Sequence, residues 1–289
     1  MRLGDEDPSG NFIDRTGLGG RGFGGGGGNL LGCLLPLVAS RFGMVGVLVL
    51  LLGYCALTSL GGGGGGLLPG GGTSTTAPSG QSNLDPNIRD LLSRVLGSTE
   101  RRWSEVFTRA GATYQPAKMI AYSDYDQSGC GAAQAAMGPF YCPTDQSIYI
   151  DPQFFGELSK RFGAPGDFAM AYVIAHEVGH HIQNLEGTLD KAQRSQSGLS
   201  RSEGNQIQVA IELQADCYAG VWAARDQNLL EPGDIEEGMR AAEAIGDDTL
   251  QKQAQGRVVP ESFTHGSAAQ RQAALRKGLE TGDPAACKF

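Results

Sequence analysis

Three of the chain's four histidines fall within six residues, in Val173-Ile174-Ala175-His176-Glu177-Val178-Gly179-His180-His181. His176 and His180 are spaced i and i+4, so a helix projects both imidazoles from one face, about one turn apart, close enough to share a metal ion. Glu177 is adjacent to the first of them and within reach of a water at that ion. The surroundings read as helix: Asp167 caps it, and Phe168, Met170, Ala171, Val173 and Ile174 supply an apolar face. With 4 His and 14 Glu in the chain, about 0.003 occurrences of His-Glu-x-x-His are expected by chance. His181 lies about 140° around the helix from His176, and is expected to touch a ligand or the core edge, not the metal. The bland alternative is a pair of hydrogen-bonded histidines on a helix surface.

A catalytic zinc takes three protein ligands and leaves a position open. Glu212, in Ile211-Glu212-Leu213-Gln214-Ala215-Asp216, is the expected third. Asp216 follows it at i+4, so one carboxylate can bind metal while the other accepts a ligand histidine's N–H. Taken without the histidines, the pair would read as an ordinary solvated helix face. Glu186 and Glu203 are weaker rivals because they lie in or beside a polar stretch.

The chain of 289 residues divides by composition, since 25 of its 45 Gly fall in the first 80. Leu30–Ala39 and Met44–Leu60 are apolar runs split by Arg41. The second is near the lower limit for a spanning helix. Arg2, Arg15, Arg21 and Arg41 precede it, and no Lys or Arg occurs from Phe42 to Ile88, which puts the N-terminus in the cytoplasm. The expected layout is a disordered Gly-rich cytoplasmic segment at 1–42, a transmembrane helix at 43–60, a Gly/Ser/Thr/Pro linker at 61–83 and one exterior domain at 84–289. A cleaved signal peptide is the competing view. The net charge of −8 falls on the exterior part, and without a basic block a nucleic-acid partner is excluded.

Four cysteines remain in the exterior part, an even number that favours disulfides, Cys130 with Cys142 and Cys217 with Cys287. Buried thiols are the alternative. Asp85-Pro86 opens a helix, with a second over Glu100–Arg109. Met119–Tyr125 and Ser147–Ile150 have strand character. Helical spacing marks Pro152–Phe162, Asp167–Leu185, Glu203–Gln227, Asp234–Ile245 and Ala268–Leu279. The polar stretch from Glu186 to Gly204 reads as an excursion loop.

Residues 84–289 resemble the bacterial family called putative neutral zinc metallopeptidases, including its Cys-Gly-x-x-x-x-x-Met-Gly-Pro-Phe-Tyr-Cys-Pro stretch at Cys130–Pro143. The Gly-rich, single-span N-terminal arrangement is similar too. The motif pair also resembles gluzincins, which hold zinc with two His and a downstream Glu. That resemblance implies an α+β, zincin-like fold, mostly helical with a small antiparallel or mixed sheet, preceded by one transmembrane helix. It implies one zinc per chain, and a substrate strand held along Gln146, Ser147, Ile148, Tyr149 and Ile150 by strand addition. Ser262-Phe263-Thr264-His265-Gly266-Ser267…Arg271 resembles the Thr-His-Pro…Arg segment of membrane-associated gluzincins, with Gly266 in place of the Pro. This makes His265 the candidate oxyanion donor and Arg271 a group contacting substrate or a ligand. Tyr218 is an alternative donor.

The function expected is a membrane-anchored zinc metalloendopeptidase. Zinc acidifies a water, Glu177 takes its proton, and a protein or peptide is hydrolysed. The expected location is a bacterial inner membrane, with the domain periplasmic or extracellular. The rivals are a zinc-binding interaction module without turnover and a zinc hydrolase of a cell-wall amide.

Overall fold

A computed structural model describes residues 1–4, 6–18 and 82–288. The described part is α+β, mostly helical with a small mixed sheet. Helix α1, Pro86–Arg109, opens on Asp85, whose side chain accepts from the Asn87 and Ile88 N–H groups, with proline in the first turn. It is one helix where two are expected. Gly97 does not break it, because Leu91, Leu92, Val95, Leu96 and Trp103 all bury on one core.

Four strands form the main sheet in the order β1-β2-β6-β5, with β1 Phe12–Asp14, β2 Lys118–Ala121, β5 Phe140–Cys142 and β6 Ser147–Ile150. Strands β1, β2 and β6 run parallel, and β5 is antiparallel to β6. A separate hairpin pairs β3, Tyr125–Ser128, with β4, Gly131–Gln134.

Two expectations fail here. Gln146–Ile150 is no edge strand: Gln146 is left-handed in the turn before β6, and β6 is paired on both sides. The chain turns at Pro143–Gln146 and lays β5 along the flank expected to be free, so the open edge belongs to Phe140–Cys142. Nor are residues 1–18 part of a disordered segment. They supply β1, which joins the sheet by parallel pairing of Phe12, Ile13 and Asp14 with Met119, Ile120 and Ala121. Three strand residues in a Gly-rich context carry too short a period to show in the sequence.

Helices follow: α2 Gln153–Lys160, α3 Asp167–Leu185, α4 Thr188–Gln196, α5 Arg201–Arg225, α6 Asp234–Ala244, α7 Asp247–Gln255 and α8 Ala268–Thr281. Helix α4 replaces much of the expected loop. None of its residues is buried, so it carries no apolar stripe toward the core for the sequence to reveal. Ser200 and Glu203 then form a capping box that starts α5. Cys130–Cys142 and Cys217–Cys287 are disulfides, as the even count suggests. Among the described residues no helix is long and apolar enough to cross a membrane. The expected span at 43–60, like the linker up to residue 81, lies outside the described residues.

Candidate metal centre

Helices α3 and α5 approach very closely beside the histidine motif. A Cβ on Gly179 would stand 2.9 Å from both the Cα and the carbonyl oxygen of Ala215, so glycine is what lets Glu212 and Asp216 reach the histidine face. His176 Nε2 lies 3.2 Å and His180 Nε2 3.5 Å from Glu212 Oε2. The donor atoms of these three residues are all within 4.8 Å of one another.

Each donor is aimed by a partner. His176 Nδ1 donates to Asp216 Oδ1 at 2.8 Å. Asp216 is itself gripped by Arg271, Nε to Oδ2 and Nη2 to Oδ1, both at 2.8 Å. The Tyr172 hydroxyl adds a third donor to Asp216 at 2.6 Å. His180 Nδ1 donates to Gln183 Oε1 at 2.9 Å, and the Gln183 amide is pinned by the Ile211 carbonyl and Gln214 Oε1. Gln208 donates to Glu212 Oε1 at 3.0 Å, which leaves Oε2 facing the histidines. With each Nδ1 engaged by its partner, both histidines turn Nε2 toward Glu212 Oε2, the orientation a metal requires.

The sequence profile of the family described as putative neutral zinc metallopeptidase matches residues 1–289. The chain belongs to this family. It is 50% identical over 195 residues to the uncharacterized protein YpfJ of Escherichia coli strain K12, covering 67% of this chain and 68% of that one. It is 46% identical over 187 residues to the uncharacterized proteins Rv2575 of Mycobacterium tuberculosis and Mb2605 of Mycobacterium bovis, covering 60% of this chain and 62% of each. No solved structure matches.

Zinc is the metal this neutral zinc metallopeptidase family implies, and the donor set fits it. Two imidazole nitrogens and one carboxylate oxygen converge, with no fourth protein donor in the group among the described residues. The electrostatics of the metal-free chain agree. Burial opposes charging His176, but Asp216 and Glu212 push its pKa up to about 10. Burial also works against Asp216, which Arg271 and His176 nonetheless hold down at about 2. Glu212 is likewise held well below the ordinary carboxylate range by the two histidines, against its burial. The pocket is therefore arranged for a positive charge between these groups.

The other expected residues divide. Glu177 is buried and lines a cleft of about 500 Å³ together with His176, His180, Glu212, His265 and Arg271. Arg271 is committed to Asp216 and contacts a ligand's partner. His181 is fully buried away from the donors: its Nδ1 accepts from the Tyr141 hydroxyl at 3.0 Å and its Nε2 donates to the Gln115 carbonyl at 2.6 Å. It ties α3 to β5. Tyr218 donates to Glu186 beneath Trp103 and does not line the cleft. Glu203 is spent in the α5 cap.

His265 is at the cleft with about half of its side chain exposed. Asp247, which the sequence reading missed, organises its loop. Asp247 Oδ2 accepts the backbone N–H groups of Thr264, His265 and Gly266 at 2.7, 2.7 and 3.1 Å, and Oδ1 is 3.3 Å from His265 Nδ1. The bond to Asp247 raises the His265 pKa above its ordinary value. Gln183, Gln208 and Tyr172 were also missed. Gln183 at i+3 from His180 and Tyr172 at i−4 from His176 share the motif's helix face, which is the signal that could have found them.

Proposed function

We propose that this chain is a zinc-dependent endopeptidase with a zincin-like arrangement, holding one zinc on His176, His180 and Glu212. The observation that carries the reading is the convergence of three aimed donors in an open cleft, with a second carboxylate, Glu177, lining the same cleft outside that donor group. A closed structural site has no use for Glu177 and would need a fourth ligand. Bound there, zinc would polarise the scissile carbonyl and acidify a water.

The chain's own groups do the rest. Glu177 takes the proton of the attacking water and passes it to the leaving amine. His265, whose protonated form the bond to Asp247 favours, donates to the carbonyl oxygen as it becomes negative. The Arg271 and Asp216 pair holds His176 still throughout. Strand β5 has an unpaired edge, and its residues Phe140 and Tyr141 line the cleft, so an extended peptide adds there as a further strand. The cleft lining includes Phe154, Phe162, Val173, Ile245 and Leu250, which suits a substrate with apolar side chains.

Zinc content and cleavage of an unfolded protein, wild type beside Glu177→Gln, test this directly. One zinc in both proteins with cleavage by wild type alone is the expected result. Zinc in both with cleavage by neither would hand the site to a binding role or to a non-peptide amide.

A further inference from the structure

We infer that residues 1–18 lie on the same side of any membrane as the metal centre, against the single-crossing layout with a cytoplasmic N-terminus that the arginine distribution suggests. The basis is the seat of the N-terminal segment. Beyond the three paired residues of β1, the Met119 N–H donates to the Asn11 carbonyl at 3.0 Å and the Arg15 N–H to the Ala121 carbonyl at 2.7 Å, continuing the ladder at both ends. Ser9 N–H donates to the Ser93 carbonyl of α1, and the Ser9 hydroxyl and Asn11 amide share Glu100 Oε1. Where the segment crosses α1 the helix has Gly97, on which a Cβ would come within 2.4 Å of the Asp7 carbonyl oxygen.

The points where the chain leaves and rejoins this body are adjacent. Thr16 is buried, its hydroxyl accepts from the Asn83 N–H at 3.1 Å, and its carbonyl accepts from the Asn83 side chain at 3.2 Å. Paired strands lie about 4.8 Å apart, whereas the hydrocarbon core of a bilayer is about 30 Å thick. One crossing between residues 18 and 82 would therefore require β1 to leave β2. Nothing in chain length forces that, since residues 19–43 and 61–81 span up to about 85 and 70 Å when extended.

Two of the four arginines that suggested a cytoplasmic N-terminus have partners on this body. Arg15 pairs with Asp126 at 3.1 Å and Arg2 with Glu231 at 3.6 Å. The two disulfides belong to an oxidising compartment, and residues 1–18 share it.

The test uses the full chain in cell membranes, with Cys33→Ser and Cys55→Ser leaving only disulfide cysteines. One reporter thiol is added, at Gly10, where a side chain meets open space, or at exposed Lys252 in α7. A membrane-impermeant maleimide is then applied to intact spheroplasts and again after lysis. Gly10→Cys and Lys252→Cys should label to within about twofold of each other before lysis. Labelling of Lys252→Cys before lysis but of Gly10→Cys only after it would overturn the inference. Should Gly10→Cys fail to fold, Gly4→Cys, also in open space, gives the same readout.

Discussion

Asp216 receives hydrogen bonds from His176, Tyr172 and Arg271 while fully buried. A buried carboxylate is stable only with such complete pairing. Asp216→Asn keeps the shape but weakens the grip on Arg271 and His176, so zinc affinity should fall about 10- to 100-fold in a chelator competition titration. Glu212→Ala should lose zinc altogether. Asp247 acts on a different residue. Its bond raises the His265 pKa, so the protonated donor persists to higher pH and is lost as pH rises through the raised value. Asp247→Asn removes that support and should move the basic limb of the kcat/KM profile to lower pH while zinc content stays at wild-type level. An unmoved limb would take His265 out of catalysis. His176, His180, Glu212 and Asp216 were legible because i, i+4 spacing is a local property. Asp247 was not, since it meets His265 only through a loop that closes in three dimensions.

At the scale of elements, the crossing of α3 and α5 decides whether the four groups meet. Gly179→Ala puts a methyl group where the Ala215 backbone already is, and the helices must part by several tenths of an ångström. Zinc affinity should drop while the far-UV circular dichroism stays unchanged, because each helix is intact and only their spacing has moved. The long helices were readable from their apolar periodicity, α3 most clearly. The sheet was less readable. Strands of three residues, such as β1 and β5, hold too few positions for alternation to register, and pairing partners distant in sequence decide which strand is the edge. That is why Ile148 and Tyr149 read as a free strand although β5 covers them. Helix α4 escaped because its apolar stripe is thin: Leu189, Ala192 and Gln193 line the cleft, and Leu189 alone packs partly on the core.

For the whole molecule, the sheet has two flanks with different fates. Strand β1 closes the β2 flank, so a chain beginning at Leu84 lacks a strand of its own sheet. Deleting residues 1–18 should lower Tm by about 5–10 °C, the shift for roughly 2–3 kcal/mol in a domain of this size, measured by calorimetry on otherwise identical proteins. On the β5 flank no further strand pairs among the described residues, and Phe140 is part-exposed there beside buried Tyr141 and Cys142. An unpaired strand edge does not distinguish a substrate from a neighbour, and such edges invite pairing between copies. Copies that met at Phe140 in concentrated solution would block each other's clefts and compete there with an extended peptide. Specific activity should then decline with enzyme concentration, and a short extended peptide bound along that edge should act as a solubilising agent.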